Sequence, residues 1–520
     1  MISAAVKQYP TGIRRTVIVA TCIIASLLEL IDSTIVNVSL HHIAGSLGAS
    51  TTDVAWIITA YAISNVIIIP LTTMLSERFG RRRYYIFSIM LFTFASFMCG
   101  NSDYLVEMVI WRFIQGLGGG ALLSLSQSIL LDSFPPEKIN VASAIYGMGV
   151  AMGPAIGPTL GGVITDSYSW NWIFFINVPL GIIAAIAAWV VVSNQRNRKK
   201  SGAIDWTGIF LLTIGIGSLQ YVLEEGNSKN WFQDRAITIL AITAVVGIIL
   251  FVIIELKAKT PAVNLRLLRH GNLAIGILLN FGMLAILFIG IYAFPLMAQI
   301  DLGWTATMTG LALVPGAIIT SLFMVICQKL IDKGADRRIL IAGGFFATFV
   351  FSSWFSVQSA DSSWCGLFWP LLFRGAGVGL YMLPAITMAV EGFKGSDRGH
   401  AVSLSNMARQ LGGAVGLALI GTQISNSQAV CRNTLISHIS EYNAAASQTI
   451  GQINSYLQST GMTHSEAGAM GYAIMEREIA RQSSLLSYLA SFRIMAVISL
   501  AAIFAVFLIK RKQKTTAIRR

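Results

Sequence analysis

Two acidic residues, Glu29 and Asp32, lie well inside an apolar segment near the start of the chain, at residues 17–40. They are three residues apart, so an α-helix places both side chains on one face. An ionisable group inside a bilayer is costly and is therefore a candidate for function. A buried carboxyl whose surroundings change can take up a proton and release it again. The pair predicts proton-transfer chemistry on this helix.

Arg112 supplies a basic group in another apolar segment, residues 105–131. If the first helix runs outward and this fourth one inward, Asp32 and Arg112 lie roughly 13 and 12 Å from the outer ends of their helices. They therefore lie at similar depth and can meet. One interpretation is a static ion pair that holds the helices together. The other is a carboxyl that binds protons beside a basic partner.

The composition identifies the kind of protein that positions these residues. The chain has 520 residues, of which 55% are hydrophobic and 12% charged, and its mean hydropathy is +0.68. A soluble domain carries about 25% charged residues, so we expect an all-α integral membrane protein. A helical span needs about 20 apolar residues. Fourteen segments qualify: 17–40, 54–75, 84–101, 105–131, 140–165, 172–193, 204–223, 236–256, 272–298, 304–328, 339–357, 366–390, 400–427 and 486–510.

The location of the positive charges excludes a nucleic-acid-binding role, despite a net charge of +13. Most Lys and Arg residues fall in the segments that are cytoplasmic if the N-terminus is cytoplasmic, as the positive-inside rule requires. The exceptions lie outside (Lys229, Arg235, Arg432, Arg477, Arg481) or within spans (Arg112, Arg374, Arg409, Arg493). The pattern predicts a multi-pass protein of the cytoplasmic membrane with both termini inside. The basic tail 510–520 would lie at the anionic lipid surface.

Four glycines recur every fourth residue in the fifth span and form one smooth stripe on a helix: Gly149, Gly153, Gly157 and Gly161. Without side chains there, another helix can approach closely. Pro154 and Pro158 lie in the same span, and each removes a backbone donor and bends the axis. The stripe predicts either a moving contact between two bundles or a static helix crossing.

Two short turns with similar composition divide the chain. SERFGRRR (76–83) follows the second span and IDKGADRR (331–338) follows the tenth. A repeat at half the chain is typical of transporters with two related bundles. We expect six-helix bundles at 14–195 and 271–510, with an inserted helix pair at 196–270.

The long polar segment 428–485 is predicted to be an exterior helical hairpin. THSE (463–466) has the pattern of a capping box, with Thr463 as the cap and Glu466 at the third helical position. The alternative is a solvated loop without regular structure.

Four motifs identify the family that the chain resembles. They are LIDSTIVNVSL (30–40), TMLSERFGRRR (73–83), RFIQGLGGG (112–120) and GVAMGPAIGPTLGG (149–162). Together with WNWIFFINVPLG (170–181) and SNMARQLGGAVG (405–416), they resemble the fourteen-span drug:proton antiporters of the major facilitator superfamily, of the EmrB/QacA type and nearest EmrB. The resemblance implies a major facilitator fold with two additional helices. Thr73 and Glu77 depart from the usual Gly and Asp of the loop motif.

The resemblance also implies roles for residues. Proton coupling falls to Glu29, Asp32, Arg112 and Gln115, and helix packing to the glycine stripe with its two prolines. The cytoplasmic gate is assigned to Glu77, Gly80, Arg81, Arg82 and, in the second repeat, Asp332. Amphipathic aromatic side chains suit a promiscuous cavity, and the candidates are Tyr61, Tyr146, Tyr292 and Tyr381.

The function expected from this resemblance is proton-driven export of amphipathic drugs, without enzyme activity, metal or cofactor. An export pump of this type can work with a periplasmic adaptor and an outer-membrane channel, and the hairpin would meet the adaptor. Two alternatives stay open. One is an exporter of an endogenous metabolite, siderophore or lipid, and the other is a membrane receptor or scaffold built on a transporter fold.

Overall fold

A computed structural model of the chain describes residues 9–135, 138–193, 205–258, 261–359, 362, 364–437, 439 and 444–507. Within these ranges the regular structure is helical, without strands. The predicted lipid-surface tail 510–520 and the connector 194–202 lie outside the described residues.

The helices of the first half, up to the inserted pair, are α1 Gly12–Ile35, α2 Leu40–Leu47, α3 Thr51–Val54, α4 Trp56–Phe79, α5 Arg81–Gly100, α6 Leu105–Asp132, α7 Ile139–Ser167, α8 Trp172–Phe175 and α9 Asn177–Val191. The inserted pair is α10 Trp206–Glu225 and α11 Arg235–Lys257. The second half contains α12 Gly271–Ile300, α13 Ala306–Asp332, α14 Arg337–Phe355, α15 Trp364–Val390, α16 Gly395–Ser437, α17 Ala444–Ser459 and α18 His464–Phe507.

The described part of the chain contains twelve helices long and apolar enough to cross a membrane. The fifth and thirteenth predicted spans correspond to α7 and α16, which have 29 and 43 residues and are long enough to cross as well. The buried face of α16 includes Ser, Asn, Arg and His side chains, which explains its lower hydropathy. The all-α membrane architecture is confirmed, and the count of fourteen crossings stays a prediction.

The two halves pack as separate groups of helices that meet along two seams. In the first half α1 packs on α7 and α4 on α6; in the second α12 packs on α16 and α14 on α15. The seams are formed by α7 with α13 and by α4 with α16. The pair α10–α11 packs on itself, and α10 also contacts α4 and α16. The inserted helices therefore cover the α4–α16 seam.

The two turns with similar sequences form equivalent ion pairs. Arg81, at the start of α5, lies 2.6 Å from Asp132, at the end of α6. Arg337, at the start of α14, lies 2.7 Å from Glu391, directly after α15. In each turn a glycine with positive φ, Gly80 at +89° and Gly334 at +87°, reverses the chain, a conformation that other residues rarely adopt. The repeat expected from the sequence is thus visible in the contacts.

The exterior segment is a helical hairpin in the residues described. Both α16 and α18 continue beyond the predicted spans, and α17 lies between them. The capping box has the expected geometry, because the Thr463 amide donates to Glu466 at 2.9 Å and the Glu466 amide donates to Thr463 Oγ1 at 3.4 Å. Arg432 of α16 pairs with Glu476 of α18 at 2.5 Å. The described residues thus form a helical hairpin, and its exterior location stays a prediction.

Candidate functional site

The centre of the first half contains a fully buried ion pair. Asp32 on α1 and Arg112 on α6 have side chains that are 0% and 1% exposed. Arg112 Nη1 lies 2.6 Å from Asp32 Oδ2, and its Nε donates to the backbone carbonyl of Ile57 at 3.1 Å. A buried charge is stable only with such partners. The similar depth expected from the sequence therefore corresponds to direct contact.

Three further side chains hold this ion pair in place. Gln115 donates to Asp32 Oδ1 at 2.8 Å and accepts from Arg112 Nη1 at 2.8 Å. Asn177 of α9 donates to the same Asp32 oxygen at 3.0 Å. The Arg112 guanidinium lies 4.2 Å from the centroid of the Tyr61 ring, close enough for a cation–π interaction. Four helices thus converge on one carboxylate.

Glu29 lies one turn along α1 from this cluster, in its own polar environment. It is 1% exposed, and Asn65 of α4 donates to its Oε1 at 3.1 Å. Its Oε2 and the Asn65 Oδ1 are buried without a hydrogen-bond partner in the described structure. A buried acceptor left unpaired is costly. Proton binding by Glu29 would convert one of these acceptors into a donor.

The glycine stripe of α7 contacts α1, the helix that carries both acids. A Cβ at Gly149 would lie 2.8 Å from Ile23, and one at Gly153 would lie 2.6 Å from Leu30. Gly157 lies against Thr34, and a Cβ at Gly161 would lie 2.7 Å from the carbonyl of Ile35. Helix α7 continues through positions 154 and 158, and the Pro154 side chain lies outside the described residues. The stripe therefore provides a close contact along α1.

A second charged cluster joins the two halves on the side predicted to be cytoplasmic. Asp132 accepts from Arg81 at 2.6 Å and from Arg398 of α16 at 2.8 Å. Beside it, Ser396 donates to Glu77. The halves also touch through Thr73 and Ser403, whose hydroxyl oxygens lie 2.9 Å apart. This side of the molecule is closed in the structure.

Other residues assigned to the gate have different surroundings. Arg82 lies 4.8 Å over the ring of Trp189 on α9, within the first half. Asp332 accepts from Gln328, four residues earlier on α13, at 2.7 Å. Of the residues assigned to the gate, Glu77 contacts the second half directly through Ser396, and Arg81 contacts it through Asp132.

The four candidate cavity tyrosines lie in separate places. Tyr61 contacts the ion pair, whereas Tyr146 on α7 donates to the carbonyl of Leu123 at 2.9 Å. Tyr381 on α15 stacks on Phe345 with ring centroids 5.3 Å apart. Tyr292 on α12 is 42% exposed. The structure does not gather them around one site.

Sequence reasoning missed Asn65, Asp132, Asn177 and Arg398. Asn177 lies inside the motif WNWIFFINVPLG, and an amide within an apolar run is a usable signal for a buried contact. Asp132 and Arg398 stand near helix ends, where charged residues are usually solvated, so nothing in the sequence distinguishes them.

Comparison with known proteins identifies the family. The family model "Major Facilitator Superfamily" matches residues 22–417. The chain belongs to the major facilitator superfamily. It is 33% identical over 465 residues to the multidrug export protein EmrB of Escherichia coli K12. The aligned region covers 89% of both chains. The chain is also 33% identical over 470 residues to the fatty acid resistance protein FarB of Neisseria gonorrhoeae, which covers 89% of this chain and 92% of that one.

The fold agrees with solved members of the superfamily. The xylose transporter XylE of E. coli, in a partially occluded inward-open conformation, aligns with a TM-score of 0.59 at 13% identity, covering 97% of this chain and 99% of that one. The protein is thus a membrane transporter of this superfamily, and not an enzyme. The family resemblance drawn from the motifs is confirmed.

Proposed function

We propose that this transporter exports amphipathic drugs and other toxic compounds across the cytoplasmic membrane in exchange for protons. The observation that carries the proposal is the Asp32 carboxylate, which is fully buried and bound by Arg112, Gln115 and Asn177. A purely structural contact does not need a charged pair at this depth, since such groups are costly in a membrane. The names of the multidrug export relatives support the substrate class.

Alternating access would follow from the contacts of α1. Protonation of Asp32 removes its negative charge and weakens its attraction for Arg112. Helix α1 could then shift together with α7, because its side chains pack closely against the α7 glycine stripe. Opening of the closed side further requires the Asp132–Arg398 contact to break, because this ion pair joins the two halves. Glu29 would act as a second proton-binding carboxyl on the same helix.

The test is dye uptake into everted vesicles, driven by an imposed proton gradient. Asp32→Asn should abolish gradient-driven uptake of Hoechst 33342 while leaving equilibrium binding of the dye largely intact. The matched control is Asp103→Asn, which neutralises a solvent-exposed acid and should transport at the wild-type rate. Wild-type transport by the Asp32→Asn variant would refute the assignment. If Glu29→Gln alone abolished coupling, the proton carrier would be Glu29.

We further propose that the exterior hairpin, residues 428–485, meets a periplasmic adaptor that leads to an outer-membrane channel. Tyr456 of α17 and Tyr472 of α18 are 69% and 59% exposed, and exposed aromatic side chains are common in protein interfaces. Replacement of residues 436–480 by a short Gly/Ser linker should spare efflux in liposomes and abolish resistance in cells. Loss of efflux in liposomes as well would instead identify the hairpin as a cap over the transporter.

The same vesicle assay decides between this proposal and its alternatives. The name of the fatty acid resistance relative favours an endogenous or lipid-like amphiphile as a second substrate class. That function predicts gradient-driven transport of such a compound but not of the dye. A receptor or scaffold predicts transport of neither.

A further inference from the structure

Arg374 is a buried basic residue for which the mechanism above has no role. It lies on α15 and is 9% exposed. Its Nη1 is buried without a hydrogen-bond partner, and the described residues provide no ion pair for it. Removing one partner of a buried charge is strongly destabilising. An anion would supply the partner that this nitrogen lacks.

The internal repeat shows which group is missing. Gln115 lies 17 residues before Asp132, and Arg374 lies 17 residues before Glu391, the acid of the equivalent turn. Arg374 thus occupies the position of Gln115, which in the first half binds the Asp32 carboxylate.

On α12, the counterpart of Asp32 is Gly290. Asp32 lies 20 residues after the first residue of α1. The same count on α12 gives Ile291, and its neighbour Gly290 is the residue that faces Arg374. A Cβ at Gly290 would lie 3.8 Å from Arg374 Cδ, so the two positions face each other as Asp32 and Gln115 do. Helix α12 contains no acidic residue. The second half thus has a carboxylate donor at this position, and α12 provides no carboxylate for it.

Tyr381 supplies a second unpaired donor. It follows Arg374 by seven residues, or two helical turns, and therefore lies on the same face of α15. Its hydroxyl is buried without a hydrogen-bond partner in the described structure. The two side chains interact electrostatically. Stacking on Phe345 holds the ring in place.

We propose that Arg374 and Tyr381 form an anion-binding site beside Gly290 that takes one carboxylate-sized anion. The anion is either the acidic group of the transported compound or a free inorganic ion such as chloride. The first source rests on the proposed export function, whereas the second does not. A Cβ at Gly290 would meet its nearest neighbours at ordinary contact distances of 3.7–3.8 Å, so a side chain can begin there without displacing them.

Binding to the purified transporter in nanodiscs tests the site. Pyrenebutyrate is the anionic probe, and pyrenebutanol is a neutral probe with the same ring system. Because a charge-assisted bond contributes more than a neutral one, Arg374→Gln should weaken pyrenebutyrate binding by about tenfold or more. Pyrenebutanol binding should stay unchanged, and Arg374→Lys should restore part of the loss. The matched control is Arg493→Gln, which removes an exposed arginine of α18 and should alter neither affinity.

Gly290→Asp provides an independent variant because it supplies the missing carboxylate. It should abolish selective pyrenebutyrate binding while keeping a melting temperature at least equal to that of the wild type. Chloride added to a buffer without other halides or small carboxylates identifies the source of the anion. Competition that disappears in Arg374→Gln indicates an inorganic ion, and its absence indicates the compound's own acidic group.

Unchanged pyrenebutyrate affinity in both Arg374→Gln and Gly290→Asp would overturn the proposal. Equal loss of both probes in Arg374→Gln would do the same, because it would indicate a merely structural arginine. These binding measurements need no proton gradient. A transporter that binds the anion yet shows no gradient-driven efflux would contradict only the proposed function.

Discussion

The contact between Asp132 and Arg398 gives the sharpest prediction about the closed side. Asp132 binds Arg81 within the first half and Arg398 across the seam, at 2.6 and 2.8 Å, and the three side chains are 14%, 16% and 10% exposed. A hydrogen bond between charged groups contributes about 1.5–3 kcal/mol when buried, and less where solvent screens it. Asp132→Asn should therefore destabilise the closed state by about 1–2 kcal/mol, which corresponds to a factor of about 5–30 in population.

Labelling of a buried seam residue measures this population. Ser403 is 1% exposed and touches Thr73 across the seam, so a cysteine at position 403 reacts with maleimide only when this side opens. In a background without other cysteines, Asp132→Asn should increase the labelling rate by about 5–30-fold.

The matched control for Asp132→Asn is Glu391→Gln. This change breaks the equivalent ion pair with Arg337, which lies entirely within the second half, and should leave the labelling rate unchanged. If Asp132→Asn left the rate unchanged, or if Glu391→Gln raised it equally, the inference that the Asp132 pair holds the halves together would be wrong.

Three further predictions concern other parts of the chain. Gly153→Leu places a Cβ within 2.6 Å of the facing α1 side chain, so this variant should transport less without loss of membrane insertion. The control is Gly343→Leu, which has open space around it and should stay active. Asn177→Ala removes a hydrogen bond to the Asp32 carboxylate, worth about 1.5–3 kcal/mol, and should reduce gradient-driven uptake more than dye binding. Burial raises the pKa of Asp301, directly after α12, from 3.8 to about 6. The folded state therefore prefers the protonated carboxyl of Asp301, and the stability that this preference contributes is lost as the pH rises through about 6. The melting temperature of the protein should fall between about pH 5 and pH 7.5, and it should fall less in the Asp301→Asn variant.

Helix geometry explains why the central ion pair could be predicted from the sequence. The rise per residue is fixed, so counting from the ends of two apolar segments gives the depths of Asp32 and Arg112. The spacing of three residues likewise places Gln115 beside Arg112. The amide partners Asn65 and Asn177 could not be assigned, because the rotation of α4 and α9 about their axes is determined by packing between helices. For the same reason, the sequence could not predict which arginine of the gate loop faces which partner. In the structure Arg81 faces Asp132 and its neighbour Arg82 faces Trp189.

Helix α7 connects α1, which carries Glu29 and Asp32, to the second half. One surface carries the glycines that contact α1, and another packs on α13, where a Cβ at Gly310 would lie 2.8 Å from Thr159 Cα. Close-packed contacts of this kind transmit displacement, because there is no space for either helix to move alone. Any displacement of α1 must therefore be matched at the α7–α13 seam. This path links a single carboxylate to the relative position of the two halves.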